Sequence, residues 1–177
     1  MANIKHAIIQ TDLLAGTDVG AYLGMGRYMG DGTTPAAIDN GHVVKIGGLI
    51  DGERDLRVYT TPAANMPLDR IGIIATPERF YDGLTHGAKD YTNDEGLNLR
   101  TYLLACMTTS SCFTVTADGF EIGAGLTPEK GWVAELQAGT KLKLVATATA
   151  GSTVVGKVIG ITKLEGIEAY TIGKEGA

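Results

Sequence analysis

The sequence predicts a mainly β protein with minor α content: an extended glycine-rich arm over residues 1–38, a hairpin-containing α+β domain over 39–110, and a small C-terminal β-barrel or sandwich over 111–177. Three observations carry that expectation. Glycine is abundant at 25 residues while proline numbers 5 and aromatics make up 6%, a balance that favours tight turns and a lean core over a helical bundle. Residues 39–63 specify a β-hairpin closely. After residue 111, short apolar runs are punctuated by Gly119, Gly139, Gly151 and Gly166 at hairpin spacing.

In chain order, the first 38 residues carry Gly16, Gly20, Gly24, Gly26, Gly30 and Gly32 with few apolar side chains to pack, so an arm ordered only by assembly is expected. The opening residues contain only three consecutive apolar positions, Ala7-Ile8-Ile9, which does not fit a secretory signal, and no segment approaches membrane-span length. Synthesis in the cytoplasm is the corresponding expectation.

The hairpin turns at Asp51-Gly52, where glycine accepts positive φ without steric cost. A two-residue loop would place Ile50 opposite Glu53 and Ile46 opposite Arg57, mixing charge into both faces. A three-residue loop pairs Ile46 with Val58 and Gly48 with Leu56, gathering Val44, Ile46, Ile50, Leu56 and Val58 on one face and turning Lys45, Asp55 and Arg57 away. A five-residue loop has the same parity, so the expectation is an odd loop. Gly47-Gly48 inside the strand predicts a bulge or a close backbone approach.

Beyond the hairpin, Pro62 and Pro67 mark an ordered turn or extended link. Residues 71–75 read as a strand buried on both faces. Thr76-Pro77-Glu78 reads as the start of a brief helix, with Thr76 as N-cap and Pro77 at the first helical position, ending near Gly83. Residues 82–100 read as a polar surface loop, 102–107 as apolar again, and 112–116, 132–137, 140–146, 154–163 and 169–172 as strands. A domain boundary is expected near 108–111, and no internal repeat is evident.

The chain offers little chemistry. Gly20-x-x-x-Gly24-x-Gly26 has the glycine spacing of a dinucleotide fingerprint, but no hydrophobic strand precedes it and Gly30, Gly32 and Pro35 follow where a helix should run. His6, His42 and His86 lie in separate segments without Cys, Asp or Glu at metal-ligand spacing. Ser110-Ser111 beside Cys112 lacks a nucleophile elbow and a base. Cys106 and Cys112 match no zinc pattern and read as small buried hydrophobes. Asp90, Asn93, Asp94 and Glu95 lack the alternation of an EF-hand loop and read as a solvated loop, and Trp132 reads as a core or end-capping residue. No catalytic, cofactor-binding or metal site is assigned, and no cofactor is expected. A net charge of −5 with dispersed lysines and arginines argues against nucleic acid as a partner.

Asp39-Asn40-Gly41 leading into Val43-Val44, then Asp51-Gly52-Glu53-Arg54 and Thr61-Pro62-Ala63-Ala64-Asn65, resembles the head decoration, or auxiliary capsid, proteins of tailed bacteriophages of Gram-positive hosts. Tyr81-Asp82, the Thr92-Asn93 loop ending at Gly96, Phe113-x-Val115-Thr116-Ala117 and Leu136-x-Ala138-Gly139-Thr140-Lys141-Leu142 are similar too, so the likeness covers most of the chain after about residue 38. The resemblance implies a virion structural protein without catalysis, on the capsid exterior, partnered by the major capsid protein and forming a homo-oligomer, for which a trimer is one candidate. The alternatives are another self-assembling virion part such as a tail-tube protein, or a non-viral binding module.

Overall fold

A computed structural model describes residues 6–10, 23–78 and 87–174. Its strands are β1 (Ile9–Gln10), β2 (Leu23–Tyr28), β3 (Val43–Leu49), β4 (Arg57–Thr60), β5 (Ile71–Ile74), β6 (Leu99–Leu103), β7 (Cys112–Thr116), β8 (Phe120–Ile122), β9 (Val133–Glu135), β10 (Leu142–Val145), β11 (Val154–Leu164) and β12 (Ile167–Gly173). The only helical elements among the described residues are single 3-10 turns of three residues. The molecule is therefore mainly β. Strands β2-β4-β3-β5-β6 close into a barrel, and the others form a seven-stranded sheet in the order β1-β7-β12-β11-β9-β10-β8.

The closed barrel is thus built from residues between 23 and 103, whereas the segment after 111 supplies six strands of the sheet. The stretch read as a free arm contributes to both: β1 pairs with β7, and β2 closes the barrel by pairing parallel to β4 and antiparallel to β6. The physical reason lies across the barrel. A Cβ on Gly26 would sit 2.4 Å from the Arg57 carbonyl oxygen and 2.6 Å from Cζ of Tyr59, and one on Gly24 would sit 2.7 Å from Oγ1 of Thr101. The volume that β2 leaves empty is filled by the Tyr59 ring, whose hydroxyl meets Thr101 Oγ1 at 2.8 Å. Few apolar side chains on β2 mean that its partner packs there, not that nothing does.

The hairpin has an odd loop. The Ile50 N–H donates to the Leu56 carbonyl at 2.9 Å, which leaves residues 51–55 as a five-residue loop with Gly52 at φ +82. That loop alone would set Ile46 opposite Thr60. The register shifts between Ile46 and Leu49, at Gly47-Gly48 as expected of a bulge, and the extra residue brings Ile46 opposite Tyr59. The pairing of Ile46 with Val58 and of Gly48 with Leu56 is therefore corrected: Tyr59 is fully buried while Val58 is only half-buried. Val44, Ile46 and Tyr59 share the barrel interior with Ile38, Ile74 and Leu99.

Strand β5 is buried along its whole length, as the sequence predicts. Its Ile74 faces the barrel interior, and Ile71 and Ile73 face outward into a larger core with Val43, Tyr102 and Leu104. The sheet covers that outer face with Phe113, Val115, Leu136, Leu144, Tyr170 and Ile172, so barrel and sheet share one core across residues 108–111. No helix begins at residues 76–78. The Thr76 hydroxyl, expected as an N-cap, accepts instead from the Arg100 N–H at 3.2 Å, and its backbone is held by Asn40. The continuation expected to Gly83 lies outside the described residues. Strands β7 and β9–β12 match the five expected runs. Strand β8 escapes sequence reading because it spans three residues and is recruited by parallel pairing to β10.

Packing around Gly26 yields a prediction. Gly26→Ala should destabilise by about 1–3 kcal/mol through overpacking against Tyr59 and the Arg57 carbonyl. Gly48→Ala, with nothing within 4 Å of the added Cβ, should leave the urea midpoint nearly unchanged. Equal shifts for the two variants would contradict the packed barrel.

Candidate functional site

The two ends of the barrel differ. At one end the chain leading into β3 and the loop leading into β6 meet: Ile38 and Asn93 form a bridge, and the Asn93 amide nitrogen donates to the Ile38 carbonyl at 3.0 Å and to Asn40 Oδ1 at 3.1 Å. Asn40 in turn donates to the Thr76 carbonyl at 2.9 Å and accepts from the Thr76 N–H at 3.0 Å. Asn40 and Asn93 are almost completely buried, so this end is plugged.

Beside the plug lies a concavity of about 310 Å³ lined by His6, Asp39, His42 and Thr140 among others. His6 Nδ1 lies 2.8 Å from Asp39 Oδ1 at half-exposed positions. His42 is buried, with Nδ1 3.2 Å from Thr140 Oγ1 and Nε2 without a partner among the described residues. Burial lowers the His42 pKa to about 4, assisted by Lys141 and opposed by the Asp39 carboxylate. An imidazole held that low is too weak a base to activate the Thr140 hydroxyl near neutral pH.

Among the described residues the opposite end is open. The first residues of β2 (Leu23, Gly24), the end of β3 (Lys45, Ile46, Gly47, Gly48), Arg57 of β4, Asp69 and Arg70 just before β5, and Leu103 of β6 surround a cavity of about 660 Å³. Three of these side chains are cationic and one is anionic. Arg57 donates to the Gly47 carbonyl at 3.2 Å, while Lys45 and Arg70 join no ion pair among the described residues.

The residues singled out from sequence scatter across this frame. His6 and His42 come together near the plug, whereas His86 lies outside the described residues. Asn93 is structural, not part of a solvated loop, while Asp94 and Glu95 are exposed. Among the described residues no three His, Cys, Asp or Glu side chains gather as metal ligands. Ser111 is buried and bonded to Thr108, Cys112 is a buried free thiol whose pKa is raised by burial, Cys106 is only half-buried, and Trp132 packs on the edge of the larger core. The fingerprint glycines Gly24 and Gly26 face Tyr59 and Thr101 in the barrel. Sequence reading missed the open end. Its signal was the set of glycines at strand termini beside Lys45 and Arg57, which only barrel closure brings together with Arg70.

Comparison with family models, with curated proteins and with solved structures finds no match to this chain.

The buried imidazole makes stability depend on pH. The folded pKa of about 4 lies below the ordinary 6.5, so as pH falls the unfolded chain takes up this proton first. The stabilisation is intact above pH 6.5 and is lost progressively as pH falls to about 4, amounting to about 3 kcal/mol. Urea unfolding at neutral pH and again near the lower pKa should show the wild type losing more stability than His42→Gln by roughly that amount. Identical losses would contradict a buried neutral imidazole.

Proposed function

We propose that this protein is a structural component of a tailed-phage virion that decorates and stabilises the capsid exterior, binding assembled major capsid protein as a homo-oligomer and performing no catalysis. One observation carries the reading. The motifs that resemble decoration proteins, far apart in the chain, meet at one junction. Asn40 bonds Asn93; Gly41 passes Val115 so closely that a Cβ would lie 2.7 Å from its Cγ1; and the Val43 N–H donates to the Thr140 carbonyl at 2.7 Å. These contacts tie barrel and sheet together, which supports reading the quoted motifs as one connected unit.

The surface supports the same reading. Met25, Leu49, Leu97, Leu126, Val154 and Ile161 are exposed apolar side chains, spread over barrel and sheet. The sheet's terminal strands, β1 and β8, are only two and three residues long and the barrel is closed, whereas β11 pairs with β9 only over Val154–Lys157 and keeps one free edge among the described residues over 159–164. An oligomer engaging several capsid subunits gains affinity through effective concentration.

Co-sedimentation of purified protein with expanded shells, unexpanded precursors and free capsid subunits tests the proposal. Expanded shells should retain the protein far more tightly than free subunits. Equal binding to free subunits, or spontaneous tubes without shell binding, would overturn it in favour of the tail-tube alternative.

A further inference from the structure

The open end of the barrel carries an inference independent of capsid docking. Barrel mouths are recurrent ligand sites because strand ends from all round the barrel converge on one concavity. Here the convergence is selective in charge. Lys45, Arg57 and Arg70 line the cavity from three different segments, against the one carboxylate of Asp69 among the described residues, in a chain whose net charge is −5. Lys45 and Arg70 have no anionic partner among the described residues. The ladder between β3 and β5 ends at Lys45 and Ile71, and the bulge leaves Gly47 and Gly48 out of the paired register with β4. At Gly48 an added Cβ would meet nothing within 4 Å, so the wall there is bare backbone facing open space.

We infer that the barrel mouth binds a small polyanion bearing carboxylate or phosphate groups. The volume of about 660 Å³ falls within the ordinary range of small-molecule sites, and cations arriving from three separate segments suit a ligand with more than one anionic group. Arg57 and Arg70 offer planar donor forks to oxyanions, and Lys45 adds a compact charge with three donors. Asp69 is the only carboxylate in the lining among the described residues, which favours a ligand that also presents a hydroxyl donor to it. The fitting class is a hydroxy-polycarboxylate or a sugar phosphate.

The test is a heteronuclear NMR titration of the isolated full chain with citrate and, separately, with ribose 5-phosphate, at constant ionic strength maintained with chloride. The expected result is saturable movement of the Gly24, Gly47 and Gly48 amides with at least one probe; which probe binds tighter assigns the carboxylate or the phosphate class. The double variant Lys45→Ala/Arg70→Ala should weaken binding by about tenfold or more, while Lys130→Ala, an exposed lysine outside the mouth, should leave it unchanged. Gly48→Asp, which adds a carboxylate where there is room for it, provides a second variant that should also abolish binding. Silence of the mouth amides with both probes, or undiminished affinity in the double variant with its spectrum otherwise intact, would overturn the inference. Shell co-sedimentation of the double variant reads the capsid proposal separately.

Discussion

The rest of the structure depends on a buried exchange of amide hydrogen bonds at the plugged end of the barrel. Asn93 gives both amide protons, to the Ile38 carbonyl and to Asn40, and its oxygen accepts from the Tyr91 hydroxyl at 3.2 Å. Asn40 closes a two-bond clasp on the Thr76 backbone. Polar groups this deeply buried are tolerable only when satisfied, and each one orphaned costs about 1–3 kcal/mol. The clasp binds three segments separated by 36 and 53 residues, fixes Ile38 as the plug, and sets the path by which Gly41, at φ +80, passes Val115. From that point the barrel and the sheet have to share a core.

The barrel is a cup in consequence. Its closed end holds an uncharged imidazole and satisfied amides, and its interior is filled by Tyr59 packed against glycines. Its open end exposes glycine backbone ringed by cations. Apolar packing and hydrogen bonding fill the first end, while among the described residues the second keeps charge and space that packing does not consume. Along the barrel axis the fold-holding residues lie at the plug, and the anion site we infer lies at the mouth.

Local signals were legible in the sequence and long-range partnerships were not. Parity and glycine gave the odd hairpin loop and the Gly47-Gly48 bulge, because both are set by a few neighbouring residues. The exact register was not legible: loop length and bulge shift it in opposite directions, and only the burial of Tyr59 decides between them. Strand β2 read as an arm because its packing partner lies more than thirty residues away, on β4 and β6. Asn93 looked solvated in a polar loop for the same reason, and Thr76 looked like a cap until Asn40 and Arg100 claimed it. At the open end, Lys45 and Arg57 were read as turned away from the core, but their convergence with Arg70 exists only once five strands have closed.

The proposal that this chain is a part added to a larger assembly rests on motifs that converge on one buried clasp between barrel and sheet. Electron cryo-microscopy of expanded shells incubated with the purified protein tests that claim most directly. The account predicts repeated density on the outer surface into which the barrel and seven-stranded sheet fit as one rigid body. Bare shells, with the protein instead assembled into rings or tubes of its own, would contradict it.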